Sequence, residues 1–490
     1  MFDLNQTTSS KARIFTKIVS ADRLTPVKIL EQMSATALLE TAYAETGKGK
    51  YSIIMLKEAF TIYKKESNYY LLNPNGKKYS LKGRKKFLEI LSEFRNRAPS
   101  DDKLYDYPIP YGGVGYLGFE FFEEIEDIKF RHEKDDRNLY DSAFMFGRNF
   151  LIFDHLHDTI LIVSMYYSGE IEDINLENEA KEIKIELKKI SDGAYPDSLY
   201  KKKKAVIINR SDNKEEFMEK VKYVKDEIYK GNLFQCVISR RVEIETNISP
   251  IEAYRNLRMR NPSPYMFYIN FKTFQLYGAS PEVMVQVKRD KVIVRPIAGT
   301  RKRGDNLAED NKLEEELKSD AKELAEHLML VDLGRNDVGK ISIGGSVKVV
   351  EEMIVEKYSN VMHLVSEVQG DIDKTKYSVE DAIISTFPAG TVSGAPKIQA
   401  IKTIDFLEEK RRGPYAGLVG YFEGNNSFDS CIAIRSAIHI GAKIYLQAGA
   451  GIVYDSVPEK EYEETEHKML ALLLSLGISD SEIKDIRGGN

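Results

Sequence analysis

The chain contains no tryptophan and only two cysteines, Cys236 and Cys431, in 490 residues. A pair of cysteines cannot staple a chain of this size, so a disulfide framework is not expected and a reducing compartment is. No run approaches the roughly 18 apolar residues that a membrane-spanning helix requires. The opening MFDLNQTTSSKARIF lacks an apolar signal-peptide core, which makes the cytoplasm the expected location. A formal net charge of −5 gives no whole-protein attraction for polyanions. Neither nucleic acid nor membrane is therefore expected as a partner. P-loop and dinucleotide fingerprints are both missing, so nucleotide chemistry has no support. A Gly-x-Ser-x-Gly nucleophile elbow is missing too. The glycines of GASPE, GTRKRG and QAGAGIV read first as turns.

What is present is an ordinary globular composition, 42% hydrophobic and 30% charged, long enough for two to three domains. The first 200 residues alternate strand-like stretches with charged helical ones. The lysine run at 201–204 reads as an interdomain linker, dividing the chain into 1–205 and 206–490. Beyond it, strands and helices mix without strict alternation. That pattern argues for an α+β fold and against a doubly wound sheet. Helices are expected over about 309–333, 379–386 and 459–476. A faint internal echo links GGVGYLGFEFF near residue 112 to YAGLVGYFEG near residue 415.

Two carboxylate pairs are the most informative positive feature. Glu323 and Glu326 stand three apart on one expected helix, Glu461 and Glu464 on another. That spacing puts both members of a pair on one helical face. Both helices turn apolar nearly all round toward their C-terminal halves, which is the pattern of buried helices. Buried carboxylates need partners, and a hard divalent cation shared between two helix ends would supply one. Magnesium fits an all-oxygen set better than zinc. Spacing alone is equally satisfied by solvated glutamates, with Glu464 and Lys468 an ordinary i, i+4 ion pair.

Ten segments then occur in order: NPSPYMFYINF, GASPEVMV, RPIAGTRKRG, KELAEHLMLVDLGRNDVGK, YSNVMHLVSEVQG, FPAGTVSGAPKIQAI, GPYAGLVGYF, AIRSAI, QAGAGIV and EYEETEHK. Together they resemble the chorismate-binding enzymes over residues 211–478. The N-terminal part matches more weakly, through LLETAYAETGKGKYS and YGGVGYLGFEF.

The resemblance implies a two-domain architecture, an antiparallel β-sandwich core surrounded by helices. It implies magnesium held directly by Glu326 and Glu464, with Glu323 and Glu461 reaching it through water. The metal would hold the ring carboxylate of chorismate. Arg435, Tyr415, Lys468 and the backbone of Gly449, Ala450 and Gly451 would take the enolpyruvyl carboxylate. Gly299 and Thr300 would line the pocket. Glu282 would be the general acid for the departing 4-hydroxyl, with His363 assisting loss of pyruvate and Thr300 beside it.

Two positions bear on the branch of the family. Gln235 stands where water-adding members carry a lysine base, and glutamine cannot deprotonate water. Ala298, in PIAGT, stands where aminodeoxychorismate-forming members carry a nucleophilic lysine. Both imply direct addition of ammonia to give anthranilate; aminodeoxychorismate formation is the alternative. Neither cysteine sits in a glutaminase-like setting, so a separate glutamine amidotransferase subunit is implied, in a hetero-oligomer. Tryptophan is the implied inhibitor, at Leu39, Glu40 and Thr41 together with Pro264, Tyr265 and Met266. Absence of tryptophan from the chain suits a protein made when that residue is scarce, and chance explains it as well.

Overall fold

The structure is a computed structural model and describes residues 10–42, 49–81, 83, 86–132, 135–171, 173–193, 204–358 and 361–478. Residues 201–203 of the expected linker lie outside this range. Strand pairing among the described residues is antiparallel throughout.

The longest strands show why the sheets stack. Ser142–Asp154 (SAFMFGRNFLIFD) is buried at every position, because Tyr51–Lys65 lies along one edge, Val114–Leu117 and then Thr159–Tyr166 along the other, in a covered sheet. One hydrophobic core gathers aromatic residues such as Phe60, Phe94, Phe146 and Tyr167. Phe60 and Phe146 stack at 4.6 Å, and Phe60 meets Tyr167 edge-on at 5.2 Å, geometries that aromatic quadrupoles favour. A second core lies under the outer helices, with Leu30, Ile54, Leu187, Tyr254 and Leu472 in contact. This is an α+β arrangement of sheet on sheet with helices outside.

Pairing also ties the early part of the chain to the late part. Ala37–Glu40 pairs with Tyr265–Asn270, Glu40 opposite Met266. Val114–Leu117 pairs with Leu418–Phe422, so the two echoing segments lie side by side, Gly115 opposite Gly420. Close approach explains the glycines there. A Cβ on Gly115 would lie 1.9 Å from the Ala143 carbonyl oxygen.

The helix expected over 309–333 is two helices, Leu307–Ser319 and Ala321–Gly339. Asp320 breaks them. Its extended backbone ends the first, and its Oδ1 accepts from the amides of Lys322 and Glu323 at the start of the second, an N-cap. The second helix is also not buried all round: Leu328 is 46% exposed, and only one face, with His327, Leu330 and Val331, is covered. Pro458–Ser475 is the more buried of the two carboxylate helices, through Met469, Leu472 and Leu473. Val379–Thr386 forms where expected. A further helix, Lys397–Leu407, buries Ala400, Ile401 and Ile404. Its signal was the apolar spacing just after Pro396. No helix among the described residues is long and apolar enough to cross a membrane.

Candidate active site

Four elements meet around the four glutamates. They are the strand Gln235–Thr246, the strand Ile297–Lys302, the helix Ala321–Gly339 and the helix Pro458–Ser475. The register of the first strand against Lys443–Ile452 sets Ser239 opposite Gly449 and Val237 opposite Gly451. Both glycines serve close packing. A Cβ on Gly449 would lie 3.0 Å from the Tyr415 hydroxyl, and one on Gly451 would lie 2.9 Å from Gln235 Nε2.

Ile297–Lys302 pairs with Val361–Asp371, and the register slips between Ala298 and Thr300. The slip is a bulge at Gly299, whose φ of +61° favours glycine. A Cβ there would also strike Leu317 at 2.8 Å. The bulge turns Thr300 toward His363, whose Nδ1 lies 3.0 Å from Thr300 Oγ1 and 3.2 Å from the Gly299 carbonyl oxygen. A carbonyl only accepts, so the ring proton belongs on Nδ1 and Nε2 is the free base. Burial, above all, lowers the His363 pKa and keeps the ring neutral.

The four glutamates come within electrostatic range of one another. Glu326 is half-buried, and its pKa is raised first by burial and then by Glu323 and Glu464. Burial likewise raises Glu461, with Glu464 adding to it. Glu464 is 45% exposed along its side chain and pairs with Lys468 at 2.6 Å, the ordinary helical pair that spacing allowed. Among the described residues, no three acids close into a metal cluster. The donors are nonetheless all carboxylate oxygens, and Glu326 makes no ion pair among the described residues. That set fits a hard divalent cation arriving with its own waters.

Basic groups stand among these acids: Lys468 pairs with Glu464 on the same helix, and Arg435 lies within electrostatic range of Glu464. Arg435, in a left-handed backbone conformation (φ 51°), makes no ion pair among the described residues. Burial lowers its pKa, which Tyr415 and Glu464 oppose. Burial pushes the Tyr415 phenol up to about 12. Lys468 Nζ donates to the Gly449 carbonyl at 2.9 Å.

Glu282 follows the strand Gln275–Ser280 and is buried. Its pKa is pushed up to about 7 by burial, only partly offset by the Thr391 hydroxyl and the Lys468 ammonium. It also lines a small cavity with Leu330, Thr386 and Thr391. Sequence reading missed Thr391, and it missed the bond from Gln235 Nε2 to Glu326 Oε1 at 3.4 Å. Gln235 had registered only as a missing lysine.

The residues expected to bind an effector surround a separate cavity. Leu39, Glu40, Thr41, Tyr265 and Met266 line it; Pro264 does not. The Glu40 carboxylate is already engaged, accepting from Tyr254 Oη at 2.8 Å and from both Arg258 Nε and Nη2 at 2.8 and 2.9 Å. Asp429, which no motif flagged, also lines the cavity and accepts from Tyr265 Oη at 2.8 Å.

Comparison with known proteins agrees with this geometry. A family model described as chorismate binding enzyme matches residues 46–474. Anthranilate synthase component 1 of Spirochaeta aurantia is 42% identical over 466 residues, covering 94% of this chain and 95% of that protein. The protein of the same name from Acetivibrio thermocellus is 42% identical over 472 residues, covering 94% of each. The crystal structure of anthranilate synthase component I from Streptococcus pneumoniae superposes with a TM-score of 0.73 at 32% identity, covering 93% of this chain and 99% of that one. The menaquinone-specific isochorismate synthase of Escherichia coli shares the fold at 17% identity, with a TM-score of 0.69. The chain belongs to the chorismate-binding enzymes, among the anthranilate synthase component 1 proteins.

Proposed function

We propose that this chain converts chorismate and ammonia into anthranilate, pyruvate and water. The observation that carries the reading is a buried Arg435 with no ion pair among the described residues, within electrostatic range of Glu464 and so of the carboxylate group that includes Glu326. A substrate with two carboxylates fits if one meets arginine and the other meets a cation. Arginine suits the first role because its planar fork pairs bidentately with a carboxylate.

Glu326 and Glu464 would hold magnesium directly, with Glu323 and Glu461 reaching it through water. The ion supplies positive charge that orients the ring carboxylate and stabilises charge developing near it. The chain's own groups do the rest. Arg435, Tyr415 and Lys468 fix the enolpyruvyl carboxylate against the Gly449–Gly451 backbone. The flat backbone at Gly299 lets the ring approach.

Glu282 gives its proton to the 4-hydroxyl, which leaves as water while ammonia forms its bond at C2. A carboxyl with a pKa near 7 still holds that proton near neutral pH. In the second half the C2 proton is lost, with neutral His363 as its acceptor or as a support for it. The C3–oxygen bond then breaks, and the enolpyruvyl group takes up a proton and departs as pyruvate. Gln235 has no basic form to activate water, and Ala298 offers no nucleophile to the ring.

Nitrogen would come from glutamine through a separate amidotransferase subunit. Both cysteines are buried and burial raises their pKa, Cys236 to about 12, so neither suits glutamine hydrolysis. Tryptophan would bind in the cavity lined by Leu39, Thr41, Tyr265 and Met266 and lower the activity. The reading is tested by giving the purified chain chorismate, magnesium and ammonium. Fluorescent anthranilate with equimolar pyruvate is expected. An aminochorismate accumulating without pyruvate would overturn it in favour of aminodeoxychorismate formation.

A further inference from the structure

The two acids of the helix Ala321–Gly339 are not equivalent. Arg301 lies two residues beyond the Gly299 bulge and grips the start of this helix. Its Nη1 donates to Glu323 Oε1 at 3.0 Å and its Nη2 to Asp320 Oδ2 at 2.7 Å. Its Nε lies 3.5 Å from Glu316 on the preceding helix. Asp320 uses its other oxygen to cap the helix, so one arginine orients the cap and the first glutamate together. Glu323 keeps Oε2 free on the cleft side, where a Cβ on Gly299 would lie 3.1 Å from it. One turn further on, Glu326 accepts only the Gln235 amide at 3.4 Å and has no ion pair among the described residues.

We infer that Arg301 is a positioning residue that sorts these two carboxylates. It neutralises Glu323 and holds it back as an indirect, water-bridged partner, leaving Glu326, which has no ion pair among the described residues, to meet the cation directly. This inference rests on the proposal that the four glutamates hold a divalent cation. It carries a consequence opposite to that of a merely structural arginine. Removing Arg301 uncovers a second negative charge at the site, so the free chain should bind the cation more tightly, not less.

The test uses the full chain without chorismate and follows Mn2+ binding by electron paramagnetic resonance, with folding checked by circular dichroism and thermal melting. Arg301→Met should tighten Mn2+ binding by about tenfold. Arg301→Lys, which keeps the charge, should stay near the wild-type value. The double variant Arg301→Met/Glu323→Gln should lose the gain. An Arg301→Met variant that is folded and binds no more tightly would overturn the inference, as would a gain surviving in the double variant.

Should Arg301→Met fail to fold, two variants that spare the arginine decide. Glu323→Gln should weaken Mn2+ by less than about threefold, while Glu326→Gln should weaken it by more than about thirtyfold. Equal losses would overturn the sorting. Wild-type chain that binds no Mn2+ would overturn the cation proposal and this inference with it.

Discussion

The catalytic cleft and the cavity at the N-terminal junction are built on opposite principles. In the cleft the decisive charges are left unspent: Arg435 has no ion pair and Glu326 no cation among the described residues. In the junction cavity the polar groups are already spent on one another, Glu40 on Arg258 and Tyr254, Tyr265 on Asp429 and Gln286. A charged wall held apart stores electrostatic free energy that a ligand of complementary charge releases. A wall of satisfied hydrogen bonds offers mainly shape and apolar surface. The first arrangement suits chemistry on a doubly charged substrate, and the second suits a pocket whose occupant bears on geometry elsewhere. The two regions share a sheet: Tyr265, which lines the cavity, pairs with Ser280, two residues before Glu282.

The comparison breaks first at the metal wall. Glu326→Gln should lower kcat/KM at least about 10²-fold with the melting temperature unchanged or raised, because it removes charge from a repulsive set. Near-normal activity in magnesium would mean the acid wall is not a cation site. Glu282→Gln should lower kcat by about 10²–10⁴-fold. It should not destabilise the chain at neutral pH, since folding raises this pKa and favours the uncharged form.

The pH dependence follows from the same carboxyl. Expressed per concentration of free ammonia, kcat should fall as pH rises through about 7, where Glu282 loses its proton. A profile that stays flat to pH 9 would assign the proton to another group. Arg435→Met should raise KM for chorismate by about 10–100-fold, the worth of hydrogen bonds to a charged group. The smallest effect belongs to the junction cavity. Thr41→Ala should weaken tryptophan inhibition by about 2–10-fold without changing kcat. Unchanged inhibition would place the effector elsewhere.

Much of this was legible in the sequence, and the reason is locality. The i, i+3 spacing of Glu323 with Glu326 and of Glu461 with Glu464 is a property of one helix, readable without a fold. So was the mixed α+β order, whereas Gly299 entered through the family resemblance as a pocket-lining residue and its bulge belongs to the fold. What stayed hidden depends on register or on long separations. Gln235 meets Glu326 across 91 residues, and Arg301 meets Glu323 across 22. Neither contact follows from spacing, because a one-residue slip in either strand would turn the side chain to the other face.

Two errors had local causes. Asp320 breaks the expected helix as an N-cap, and the Ser319–Asp320 pair followed by Glu323 at the third helical position was available as a signal. The apolar run after Glu323 reads as a buried helix, yet Leu328 faces solvent. Glu40 stands as a different case. The motif marked it for an effector, the structure sets it in the wall of the junction cavity, and only the fold reveals that Arg258 already holds its carboxylate.

The most direct test of the polarised cleft is a crystal structure of the Glu282→Gln chain with chorismate and Mn2+, read by the anomalous signal of the metal. The expected result is a metal peak between Glu326 and Glu464, with one substrate carboxylate on it and the other on the Arg435 guanidinium. A metal bound away from these glutamates, or a chorismate whose carboxylates both avoid Arg435, would contradict the account.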